Sequence, residues 1–283
     1  MLTISEMIVL GSAVPEQTKN NGKTVCVAGW AEDLGFVRIY PCRADYGISR
    51  WDRLRDIKVR RNPKDSRLES YKLWDEKSFR IDGGIKSASE KIELLESIKQ
   101  DCVHIVRDGM LSLGLVRVDG HIECNISDNP SFSKQETIAK HNQDYNWLLT
   151  KQDFSVQPKL TFSCGGKCLA KNLHNMTVVD WGGFEWIRKS PGAALNLRDN
   201  WKITNPEYDV YLLVGNLFQH RTSFIVISVI PVKKQLDANI PMFPQLQQLA
   251  ASRTQHTIQQ SVSRIVATIK KTTQGQALLQ EPQ

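Results

Sequence analysis

Short apolar runs separated by turn residues dominate the first 130 positions. Met7–Leu10, Thr24–Trp30, Phe36–Tyr40 and the β-branched run within Asp56–Arg61 have the length and composition of strands. Asn20, Asn21 and Gly22 punctuate the first pair, and Asp33, Leu34 and Gly35 the second, as turn chemistry requires. A strand alternates its side chains, so Phe36, Arg38 and Tyr40 share one face and Val37 and Ile39 the other. The second set predicts a barrel interior and the first an aromatic-plus-Arg surface. A helix follows: Ser87 with Glu90 three residues on forms a capping-box pattern, and Ile92, Leu95 and Ile98 recur at helical spacing. Ser112–Val118 and Ile122–Ile126 return to strand, joined across Asp119-Gly120, a hairpin signal. Several short strands with one interposed helix predict a small barrel of the OB kind.

A polar stretch from Asn125 to Asn142 marks the best boundary, with a short helix expected over Lys134–His141. Beyond it Leu160 and Phe162 alternate into Cys164. Tyr211–Val214 and Phe224–Val232 then read as strands, the latter central because its apolar run is almost unbroken. After Pro244, Leu246, Leu249, Ile258, Val262, Ile265, Val266 and Ile269 sit near helical spacing and predict an amphipathic helix. The pattern thus divides into an OB-like, strand-rich unit over 1–130, a mixed α/β unit over 131–243, and a helix with a polar tail over 244–283. The fold class is α+β.

Charge adds a candidate partner. The chain carries 37 Lys plus Arg against 30 Asp plus Glu, a net +7, and the surplus is local. Residues 50 to 80 hold eleven bases against six acids, with Trp51, Tyr71 and Trp74 interleaved. That is the footprint of a polyanion binder, in which Arg53, Arg55, Arg60, Arg61 and Arg67 meet phosphates while Trp51 and Tyr71 stack on unpaired bases. The opposing acids Asp52, Asp56, Asp65 and Glu69 could instead pair much of this charge on a solvated face. No apolar run reaches the ~20 residues a spanning helix needs, so no membrane contact is expected. The first residues lack the basic start of a secretory signal. Together with six widely spaced cysteines, this predicts a reducing, cytoplasmic setting.

Cys26, Cys42, Cys102 and Cys124 lie in apolar or strand-like contexts and read as small buried hydrophobes. Cys164-Gly-Gly-Lys-Cys168 followed by His174 is different: two thiolates on a Gly-rich turn and a nearby imidazole can approach one structural zinc. A fourth ligand would be Asp180 or a remote Cys or His brought in by the fold. A metal-free loop and redox thiol chemistry are the alternatives. Asp180 and Glu185, read as lying near the end of a strand, could hold a divalent metal with His174 for phosphodiester cleavage, although Lys189 lies four residues beyond Glu185 rather than two. Dinucleotide, P-loop, zinc-protease and serine-hydrolase motifs are absent.

The segments Thr24-Val-Cys-Val-Ala-Gly-Trp30, Val37-Arg-Ile-Tyr-Pro41 and Asp65-Ser-Arg-Leu-Glu-Ser-Tyr71, with Ser112-Leu-Gly114 and the series Cys164, Cys168, His174, Asp180, Trp181, resemble a mostly uncharacterised bacterial family. The likeness covers about residues 5 to 232. It is similar in style to dual-OB-domain proteins found near mobile elements and phage-defence genes, and it implies a shared fold without supplying a reaction. In that family's pattern His follows the second Cys closely and Glu follows Asp-Trp. Here five residues separate Cys168 from His174, and Gly182 follows Trp181.

These features favour a non-catalytic component of a defence or mobile-element system that binds DNA or RNA. A metal-dependent nuclease is the first alternative. The second is an interaction subunit that meets a protein partner, or another copy of itself, through residues 244–271.

Overall fold

A computed structural model describes residues 1–18, 22–76, 78–132, 149–165, 168, 173–189 and 192–234. The expected helices at Lys134–His141 and beyond Pro244 lie outside these residues.

The N-terminal strands are β1 (Leu2–Ser12), β2 (Glu16–Thr18), β3 (Gly22–Ala31), β4 (Gly35–Arg43), β5 (Asp52–Arg61), β6 (Ser70–Leu73) and β7 (Arg80–Gly84). Five of them close a ring. β1 pairs antiparallel with β3, β3 with β4, β4 parallel with β6, β6 antiparallel with β5, and β5 returns antiparallel to β1. This strand order, with its single parallel pair, is that of an OB-like barrel. Alternation fills it: Ile4, Val27, Val37, Ile39, Ile57 and Val59 point inward and are almost wholly buried. β2 and β7 extend the wall beyond the ring.

Helix α1 (Ala88–Ile98) starts where the capping box predicts, with Ser87 Oγ accepting from the Glu90 amide. A short α2 (Val103–Asp108) leads into β8 (Leu113–Arg117) and β9 (Ile122–Asp128). These two strands do not pair with each other. β8 adds to a three-stranded sheet with β12 (Tyr208–Asn216) and β13 (Phe224–Lys233), and β9 to another with β10 (Val156–Phe162) and β11 (His174–Thr177). The turn at Asp119-Gly120 forms, with Gly120 at φ 88°, but it passes the chain between sheets instead of closing a hairpin. Both sheets therefore combine strands from either side of residue 131.

The β8–β12–β13 sheet is buried on both faces, as the unbroken apolar run of β13 predicts. Leu212, Val214, Val226 and Val229 pack with Leu160, Phe162 and Phe184 on one side. Tyr211, Leu213, Ile227 and Ile230 pack on the other with α1 and with Leu10, Ala28, Trp30 and Phe36 from the outside of the barrel. The face of Phe36 and Arg38 on β4, expected from alternation to be a surface, is therefore covered, as is the neighbouring outer face of β3. Arg38 is 3% exposed, its guanidinium donating to the carbonyls of Ser112 (2.8 Å) and Asn216 (3.3 Å). The correction has a physical basis: period-two alternation separates two faces but does not say what lies against either.

The barrel and sheet meet tightly at Gly11 in β1. A Cβ built there falls 2.3 Å from Ser228 Cβ on β13. We expect Gly11→Ala to cost about 1–3 kcal/mol by overpacking, measured as a lower urea midpoint at unchanged slope.

Candidate metal centre and the basic barrel wall

Four residues from three elements converge. Cys102 caps the N-terminus of α2, where its sulfur accepts from the His104 amide at 3.4 Å. Cys164 and Cys168 lie on the connection after β10, and His174 opens β11 opposite Phe162. The turn is set by Gly165 at φ 88°, where a Cβ would meet Asp119 Oδ2 at 2.7 Å, so glycine is required on both counts. The Cys168 amide donates back to the Gly165 carbonyl at 2.9 Å.

Cys102 Sγ stands 3.3 Å from Cys168 Sγ and 3.6 Å from His174 Nε2, and Cys168 Sγ is 3.2 Å from the same nitrogen. The ligand atoms of all four residues lie within 4.8 Å of one another. Tetrahedral ligands ~2.3 Å from a zinc stand roughly 3.8 Å apart, so both the donor set and its spacing fit such an ion. The cluster can hold a metal. Burial raises the Cys164 thiol well above the ordinary thiol range, with neighbouring Cys102 and Cys168 adding to the shift. Burial lowers His174, and His104 and Arg107 lower it further, which keeps the imidazole neutral and able to ligate. The ring of His174 sits between those of Phe162 and His104, at 5.1 and 5.3 Å, which fixes its plane.

Cys102 was expected to be a plain buried hydrophobe, and the fold brings it within reach of the same ion that Cys164, Cys168 and His174 could hold. Sixty-one residues separate it from Cys164, so no local spacing marks it. Cys42 does behave as a core thiol, pushed by burial up to about 12, while Cys124 is half-buried at the core's edge and raised to about 11.

Asp180 belongs elsewhere. It is 2% exposed and caps α3 (Trp181–Lys189), a helix where a strand end was expected. Its Oδ1 accepts from the Gly183 amide at 2.6 Å. Its Oδ2 accepts from Arg50 at 2.9 Å, Ser228 Oγ at 2.8 Å and the Val229 amide at 3.0 Å. Glu185, half-buried on the same helix, pairs with Arg188 at 2.7 Å. Among the described residues, neither carboxylate joins a metal-capable group with His174. Helix α3 was not legible because Gly182 and Gly183 are poor helix formers. Gly183 is there for packing, since a Cβ would sit 2.5 Å from the Trp201 ring.

Residues 3–100 match the family model of a domain of unknown function, DUF8758. The chain matches no curated protein.

The match spans the barrel and α1, so it includes the Arg-rich segment. Arg53 and Arg55 on β5 are held by Glu6, at 3.3 and 3.0 Å, and Arg55 also by Asp82 at 3.0 Å. Arg67 is 8% exposed and locked against Asp65 at 2.7 Å. Arg61 donates to the carbonyls of Arg67 and Leu68 and lies over the Tyr71 ring. Tyr71 itself is 7% exposed and lines the barrel interior, so its ring faces the core rather than a base. Trp51 packs on the α1 side with Lys91 over its ring. Of the seven residues singled out from the sequence, Arg60 stands exposed on the barrel wall beside the exposed Trp74, with no carboxylate at ion-pair distance among the described residues. No helix among the described residues is long and apolar enough to cross a membrane.

Proposed function

We propose that this chain binds nucleic acid without chemical turnover, with the OB-like barrel as the binding platform and a zinc ion in the Cys102, Cys164, Cys168, His174 site as a structural clamp. The observation that carries the reading is charge left over after pairing. Arg53, Arg55 and Arg67 are neutralised by Glu6, Asp82 and Asp65, whereas Lys58, Arg60 and Lys72 on the barrel wall have no carboxylate within 4 Å among the described residues. Unpaired surface cations attract phosphates through counterion release.

Asp180 supports the non-catalytic part by weakening the nuclease alternative. A carboxylate that already accepts four hydrogen bonds inside the fold has no capacity left to hold a divalent ion. Zinc is favoured over harder ions because three sulfurs and one imidazole nitrogen form a soft, closed set. When bound, the ion would cross-link α2 to the β10–β11 connection, and its four protein ligands leave no open position for substrate. The defence or mobile-element setting belongs to the same proposal and rests on the sequence resemblance.

The test is direct titration of the full chain into labelled 20-mers of single- and double-stranded DNA and RNA, with integrity of the oligonucleotide checked afterwards. Saturable binding of at least one member with intact product is the expected outcome. Failure to bind any member, or cleavage of any member, contradicts the reading.

A further inference from the structure

In an OB barrel the ligand ordinarily lies across the second and third strands of the ring. Here those strands are β3 and β4, and their outer face is closed. Ala28, Trp30 and Phe36 pack under the β8–β12–β13 sheet and α1, and Arg38 is sealed against the carbonyls of Ser112 and Asn216. A nucleic acid cannot reach that surface without dismantling a core. The binding surface must therefore lie on another part of the wall.

We propose that the outer face of β5 and β6, formed by Lys58, Arg60, Lys72 and Trp74, is a docking surface for single-stranded nucleic acid. This deepens the nucleic-acid reading above and rests on it. Three observations on the barrel wall converge. First, Val59 and Leu73 point into the barrel, so the alternating Lys58, Arg60, Lys72 and Trp74 point out. Second, Arg60 and Lys72 are register partners across the antiparallel β5–β6 ladder. Like charges directly opposite each other weaken a sheet, and among the described residues no carboxylate relieves this pair; a bound phosphate would. Third, Trp74 is 47% exposed, its amide tied to the Lys58 carbonyl at 2.9 Å and its ring 5.9 Å from the Arg60 guanidinium. The backbone bond fixes the position of a flat aromatic platform beside the three cations.

A ring beside unpaired cations is the recognition chemistry of an unstacked base and its backbone. A duplex keeps its bases stacked and would engage the cations alone, so the surface selects single strands. Ring stacking tolerates any base, which predicts little sequence preference.

The experiment compares four full-length forms against a labelled single-stranded 20-mer and the matching duplex: wild type, Trp74→Ala, Lys58→Gln/Arg60→Gln/Lys72→Gln, and Arg53→Gln/Arg55→Gln. All altered side chains lie on the wall, and thermal melts confirm that each form is folded. We expect Trp74→Ala to weaken single-strand binding about 10-fold or more and leave duplex binding nearly unchanged. The triple variant should weaken both ligands and flatten the salt slope by about 2, three contacts at ~0.7 each. The Arg53/Arg55 variant, whose cations are already paired, should stay within about 2-fold. If wild type binds but only the Arg53/Arg55 variant weakens it, or if duplex binds as tightly as single strand, the proposed face is wrong while the nucleic-acid reading stands. If wild type binds neither ligand, the underlying reading fails and this proposal fails with it.

Discussion

Replacing Cys102 with Ser should strip the protein of zinc. Wild type is expected to retain about one ion per chain through gel filtration, and Cys102→Ser close to none, because a hydroxyl does not replace a thiolate in a soft tetrahedral set. The loss carries a stability cost by linkage. With free zinc near 1,000 times the dissociation constant, binding contributes about 4 kcal/mol, and for a chain of this size that is on the order of 8–16 °C in melting temperature. Cys102 is fully buried, so a polar substitution alone also destabilises. A chelator separates the two effects: it should lower the melting temperature of wild type by most of that amount and leave Cys102→Ser nearly unmoved. A chelator-insensitive wild type would show that the four residues pack as a reduced, metal-free cluster. The pH dependence has a fixed sign. Burial raises the Cys164 thiol, so at neutral pH the ion must displace a proton to bind it. Affinity should therefore rise as pH rises and fall with acidification.

Asp180→Ala is the second large effect, and it should appear in stability. The carboxylate joins three parts of the fold: Arg50 ahead of β5, Ser228 and Val229 in β13, and the first turn of α3. Removing it leaves Ser228 Oγ and two buried amides without their acceptor, and a mostly buried guanidinium without its counter-charge. Breaking a buried ion pair from one side costs about 3–5 kcal/mol, or about 10 °C here. Asp180→Asn keeps an acceptor and the shape and should recover part of the loss. Urea denaturation of both variants checks the prediction. Wild-type stability in Asp180→Ala would mean that the network is incidental.

Local sequence carried the barrel because its strands are apolar, β-branched runs bounded by turn residues. Val37 and Ile39 point inward as expected, and Ser87 caps α1 where the spacing places it. What it could not carry was partnership at long range. Arg38 and Phe36 read as surface because the strands that cover them begin at Leu113 and Tyr208. The same limit explains the aromatic residues. Trp51, Tyr71 and Trp74 stand in one basic block, but which ring meets solvent depends on register. Tyr71 alternates inward beside Leu73, and Trp74 is the next residue outward. Arginine content behaves likewise, since Glu6, far upstream of the Arg53 and Arg55 it pairs with, is invisible to a window that counts charge along the chain. The candidate metal site was half legible. Cys164, Cys168 and His174 announce themselves by proximity, while Cys102 is brought to them by α2.

The salt dependence of single-strand binding tests the central claim most directly. If Lys58, Arg60 and Lys72 meet phosphates, the logarithm of the association constant should fall linearly with the logarithm of salt concentration, with a slope of about −2, from three contacts at ~0.7 each. Binding that does not change between low and physiological salt, or no binding at low salt, would contradict the account.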